Sequence, residues 1–135
     1  MDIEIESRFV KTYIKKNRRE RICYELGSQK KRINAIGRFC HSALDYIDKN
    51  KIVYQGTSLD QGMELMNIPH KGECYLISWD ELVDGKIFKT EEAIEKMRSD
   101  GMAAIAVFPD FCIIKTEQTV GPAEIYICYS TLPCQ

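Results

Sequence analysis

The spacing of apolar positions divides the chain into a helical first third and a strand-rich remainder. Ile5, Phe9 and Tyr13 recur at four-residue steps, with Val10 and Ile14 one step round. That amphipathic stripe predicts a helix over 4–16. Residues 18–26 read two ways: Ile22, Tyr24 and Leu26 alternate with Arg21, Cys23 and Glu25 as in a strand, whereas Arg18-Arg19-Glu20-Arg21 is helix-forming composition. The composition decides for a helix, with Asn17 as break and N-cap and Gly27 as its C′ stop. Ile33, Ile36, Cys40, Leu44 and Ile47 then fall at three- and four-residue steps, which predicts one long helix from a Ser28 cap to Ile47.

From residue 52 the period shortens. Residues 52–54, 74–79, 103–108, 111–115 and 125–129 read as strands, and Asp84-Gly85 between the apolar arms of 82–88 is a hairpin signal. Ser58 caps a short helix to Met66, and Thr90 caps a helix through Arg98, with Glu91 and Glu92 in its first turn and Gly101 closing it. Strand 102–108 is apolar on both faces and therefore central. If it neighbours strand 74–79 across the intervening helix, that pair is expected to be parallel with a right-handed crossover. The expected fold is α+β: N-terminal helices packed on a mixed, mostly antiparallel sheet of about five strands with one inserted helix.

Size adds that 135 residues make a single compact domain, with no repeat, linker or low-complexity tract. A composition 44% hydrophobic and 29% charged is that of a folded globular protein. No apolar run approaches the roughly 18 residues of a membrane helix, and the acidic start Met1-Asp2-Ile3-Glu4 lacks a secretory pattern. The expectation is a cytoplasmic protein away from membranes, its six cysteines reduced and those at 74, 112 and 128 packed as small apolar residues, with Cys134 exposed.

Charge changes the picture more. Residues 1–51 hold thirteen Lys and Arg against seven Asp and Glu, a net of +6, while residues 52–135 hold six against thirteen, a net of −7. The division suggests a basic helical part for an anionic partner and an acidic part presenting the opposite surface. Arg18, Arg19, Lys30, Lys31 and Arg32 are the expected anion-binding residues, with Tyr13, Tyr24 and Phe39 as stacking surfaces if that partner is a nucleic acid.

One stretch has the residue types of catalysis. Arg38, His41 and Asp45 fall at i, i+3 and i+7 of the predicted long helix, so they share a face. There Asp45 can orient the His41 imidazole as a general base while Arg38 holds a phosphate or carboxylate, with Glu25, Lys31 and Arg32 converging from the preceding segment. Metal chemistry has less behind it. Cys40 and His41 are adjacent and point about 100° apart on a helix, no Cys-x2-Cys pair accompanies His70 and Cys74, and Gly-rich phosphate loops are absent. Neither a metal nor a cofactor is expected.

The leading reading is a small non-enzymatic binding or regulatory module that uses charged faces on a macromolecular partner. A protein partner ranks first, an inhibitor or immunity-type role fits, and homo-oligomerisation is compatible with it. The alternatives are a phosphodiester- or nucleotide-directed enzyme with His41 as general base, and a nucleic-acid-binding module.

Overall fold

A computed structural model describes residues 1–99, 103–116 and 121–131. Four helices precede the first strand: α1 (Ile3–Tyr13), α2 (Arg19–Leu26), α3 (Arg32–His41) and the single turn α4 (Ala43–Tyr46). Then come β1 (Ile52–Gly56), α5 (Leu59–Leu65), β2 (Glu73–Ser78), β3 (Lys86–Lys89), α6 (Thr90–Ser99), β4 (Ala104–Val107), β5 (Phe111–Lys115) and β6 (Ile125–Tyr129). The six strands form one sheet in the order β1-β6-β5-β4-β2-β3, and every pairing is antiparallel. The α+β class holds, with six strands where about five were expected. Gly101, the expected helix stop, and Cys134 lie outside the described residues.

Side-chain alternation along the strands builds two cores. On one face Tyr75, Ile77, Ile105, Cys112, Ile114, Tyr126 and Cys128 pack against Phe9, Val10, Tyr13, Ile36 and Phe39 of α1 and α3. On the other, Leu76, Ala106, Ile113 and Ile127 pack against Leu59 and Met63 of α5 and Ala93, Ile94 and Met97 of α6. The sheet thus lies between two helical layers, one from each half of the chain. Lys115, buried beneath α6, donates its ammonium to the Met97 carbonyl at 2.5 Å, near the helix end where the dipole favours a cation.

The amphipathic stripes predicted helices where helices exist, and the ambiguous segment is the helix Arg19–Leu26, as its composition and not its apolar spacing indicated. Their ends differ. Ile14 leaves α1 in an extended conformation and bridges Ile47, which buries both isoleucines completely. Gly27 has a φ of −78°, so it is not the left-handed stop expected. The predicted helix 28–47 starts at Arg32 and breaks at Ser42, whose φ of −125° and ψ of 47° interrupt it.

The parallel pair is a further correction. β2 and β4 are neighbours, but antiparallel, with Tyr75 opposite Val107 and Ile77 opposite Ile105. The reason is β3, which reverses the chain before α6 so that the crossover returns β4 alongside β2 in the opposite sense. The Asp84-Gly85 signal marks a real hairpin whose arms are β2 and β3; residues 79–85 make the connection, with Gly85 at a φ of +73°.

α5 lies close on β1 and β6 because Gly62 has no side chain. A Cβ there would stand 2.7 Å from Tyr54 Cε2 and 3.0 Å from Ile127 Cδ1. Gly62→Leu is expected to lose about 1–3 kcal/mol of stability in urea denaturation. In a Tyr54→Ala background the same substitution should cost much less, and an equal cost in both would contradict this packing.

Candidate functional site

The helical layer places the expected site residues in three different settings. Arg38 is half-exposed and donates Nη2 to Glu25 Oε2, while Arg21 Nε approaches Glu25 Oε1 at 3.4 Å. His41 and Asp45 are both exposed, on opposite sides of the Ser42 break. The continuous helix that would place them one turn apart is therefore absent, and no hydrogen bond or ion pair joins them among the described residues. The expected convergence of Glu25 with Lys31 and Arg32 gives way to the Glu25–Arg38 pair.

The basic residues also separate. Arg18 lies over the Tyr46 ring at 5.1 Å and Lys31 over the Tyr24 ring at 5.2 Å, both cations exposed and held by aromatic faces. Lys30 is exposed, whereas Arg19 is half-buried and donates Nε to the Ile14 carbonyl at 2.9 Å. Arg32 is different in kind. It is 7% exposed, and its fork is taken inside the chain: Nε and Nη2 donate to Asp84 at 2.7 and 2.9 Å, Nη1 and Nη2 to Glu6 at 2.5 and 2.7 Å, and Nη1 also to the Leu26 carbonyl at 2.9 Å. Arg32 does bind anions, but they are two carboxylates of its own chain.

Around this cation the Tyr75 hydroxyl donates to Glu6 and accepts from the Asp2 N–H at 2.9 Å, and the Ser78 N–H donates to Asp84 at 3.0 Å. The two carboxylates hold the Arg32 guanidinium protonated beyond its ordinary range against the opposing effect of burial. Burial, then the Glu6 hydrogen bond, pushes the Tyr75 phenol up as well.

Beside this network α1 and the sheet leave a cleft of about 240 Å³ that the sequence did not reveal. Its apolar walls come from Ile5 and Phe9 of α1, Tyr75 of β2, Ile87 of β3 and Val107–Phe108 at the end of β4. Arg8 and Glu73, both exposed, line it too. The α1 stripe was the one legible signal; the other walls come together only through sheet order. No protein-family model, curated protein or solved structure matches the chain.

Burial pushes the Cys74 thiol up to about 12, so it is protonated at neutral pH and not a thiolate nucleophile, and it packs on the other face of the sheet, in the α5 and α6 core. Tyr13 is raised too, by burial first and then by Cys112, Cys128 and Asp110. Among the described residues no group of three or more His, Cys, Asp or Glu is disposed to hold a metal ion. None of the described cysteines is in a disulfide.

Two outcomes follow. Arg32→Ala leaves two carboxylates facing each other without their cation, which is expected to cost about 3–5 kcal/mol in chemical denaturation; Arg32→Lys should recover only a minor part, since an ammonium lacks the fork. A loss below about 1 kcal/mol for Arg32→Ala would place the network at the level of a surface pair. The second concerns alkali. Native Cys74 keeps its proton from its ordinary pKa of 9.0 up to about 12, where the unfolded thiol has lost it, so this contribution is present below pH 9 and lost as pH rises. Cys74→Ala should therefore flatten the fall in stability between pH 9 and 10, and an unchanged slope would refute the burial effect.

Proposed function

We propose that this chain is a non-enzymatic binding module whose basic helical layer engages an anionic macromolecular partner, a protein with an acidic surface. The observation that carries the reading is the separation of charge by the sheet. The helices of residues 1–51 cover one face, and α5 and α6, which hold Asp60, Glu64, Glu91, Glu92 and Glu95 against Lys96 and Arg98, cover the other. The acidic helices thus lie across the sheet from the basic ones, while Asp84 of the second part pairs with Arg32 of the first. Lys11, Lys16, Arg18 and Lys30 are exposed on the basic side, and none is in an ion pair with a carboxylate among the described residues.

A protein ranks above a nucleic acid as partner because of the aromatics. Tyr13 and Phe39, two of the three expected stacking surfaces, are each 3% exposed in the core, and the third, Tyr24, has Lys31 over its ring. A layer rich in cations with few open rings suits carboxylates better than bases. The enzyme reading has less behind it, with His41 and Asp45 on either side of the Ser42 break and Arg38 held by Glu25.

Fluorescence anisotropy with labelled polyglutamate and with a single-stranded RNA, across a salt series, tests this. Polyglutamate is expected to bind at low salt, with affinity falling as salt rises. The combined reversal Lys16→Glu, Arg18→Glu, Lys30→Glu should weaken it at least about tenfold, while Glu91→Lys with Glu92→Lys leaves it unweakened. Equal binding by the basic-face variant would overturn the proposal, and tighter binding to RNA than to polyglutamate would overturn the choice of protein.

A further inference from the structure

The cleft under α1 has a polar mouth that the basic layer does not explain. Its lining is mostly apolar, with Ile5, Phe9, Ile87 and Val107 among its walls. Most other polar groups that line it are already engaged. Thr12 Oγ1 donates to the Arg8 carbonyl at 2.7 Å, Ser130 Oγ donates to the Asp110 carbonyl at 3.0 Å, and the Tyr75 hydroxyl is held between Glu6 and Asp2. Arg8 and Glu73 are the charged residues of the lining, both exposed, and neither side chain is in an ion pair among the described residues. A guanidinium and a carboxylate at the mouth of one apolar cavity form a pattern of charge complementary to a zwitterion carrying an apolar group.

Size narrows the occupant. At about 240 Å³ the cleft falls below the roughly 300–1,000 Å³ of sites for drug-sized ligands, so it suits a molecule of single-residue dimensions. A simple carboxylic acid would satisfy Arg8 and meet Glu73 as a like charge. A simple amine would do the reverse. We infer that the cleft is a binding site for a free α-amino acid with an apolar side chain, Arg8 taking its carboxylate, Glu73 its ammonium, and the apolar walls its side chain. Arg8 suits the first role because its planar fork matches a carboxylate. Ile87, 56% exposed on edge strand β3, would be covered when the ligand's side chain lies against it. The inference stands apart from the basic-layer reading, since no residue reversed in that test lines this cleft.

Isothermal titration of the whole chain with L-phenylalanine and L-leucine, followed by amide chemical shifts, tests it. Both amino acids are expected to bind and to shift amides of α1 and β3, with glycine weaker by about tenfold or more because it lacks the apolar group. Arg8→Met and Glu73→Gln, at exposed positions that leave the fold intact, should each weaken phenylalanine about tenfold or more. N-acetyl-phenylalanine should be weakened because it lacks the ammonium, and phenylalanine amide because it lacks the carboxylate. No binding by any apolar amino acid would overturn the inference. So would binding indifferent to both substitutions, or 3-phenylpropionate binding as tightly as phenylalanine.

Discussion

The guanidinium of Arg32, held between Glu6 and Asp84, is the constraint on which the helical layer depends. It joins α1, α3 and the β2–β3 connection, elements far apart in sequence, at one desolvated point. Apolar contacts alone would let α1 slide along the sheet, because a stripe of Phe, Val and Ile fits many neighbouring positions. A planar fork reaching two carboxylates fits one. One cation against two carboxylates also leaves a negative surplus in a buried place, and the Tyr75 hydroxyl and the Ser78 N–H supply the further donors that such a surplus requires. Among the described residues no buried side-chain polar atom lacks a partner. The network therefore joins three elements through one fully partnered set of buried polar groups. That placement sets α1 over β2 and β3 and so opens the cleft beside it.

How much of this was legible follows from the range of each interaction. Helices and strands are written locally, and the stripe Ile5, Phe9, Tyr13 or the run 103–108 identified its element correctly. The Ser42 break was not legible, because Ile36, Cys40, Leu44 and Ile47 keep helical spacing across it; the Ile14–Ile47 bridge and the fit of α4 in the core decide the geometry there. The sense of the β2–β4 pair was missed for a countable reason. Lys86–Lys89 is a strand in its own right, and one extra reversal changes every direction after it. Arg32 was misplaced because it follows Lys30 and Lys31 in the chain, and three consecutive cations read as one cluster. On α3 it instead turns toward Leu26 and Glu6, a direction that only the tertiary structure supplies.

The same distinction explains the candidate sites. Residue types in helical register suggested Arg38, His41 and Asp45, yet a register carries chemistry only while the helix is continuous. The cleft shows the opposite case. Its walls come from α1, β2, β3 and β4, and Arg8 and Glu73 are ordinary surface residues until the sheet order brings their elements together. Single-sequence patterns do not encode such a juxtaposition, because it depends on which strands become neighbours and not on the strands themselves.

The sheet also determines what the charge division can mean. Had the basic helices folded over the acidic half, the excess on each side would have been neutralised internally and would carry no implication for a partner. Instead the two helical layers sit on opposite faces of the sheet. Short-range pairs such as Arg32 with Glu6 and Asp84, Glu25 with Arg38, and Asp60 with Arg98 neutralise part of the charge internally. Lys11, Lys16, Arg18 and Lys30 of the helical layer are exposed and lie outside these pairs.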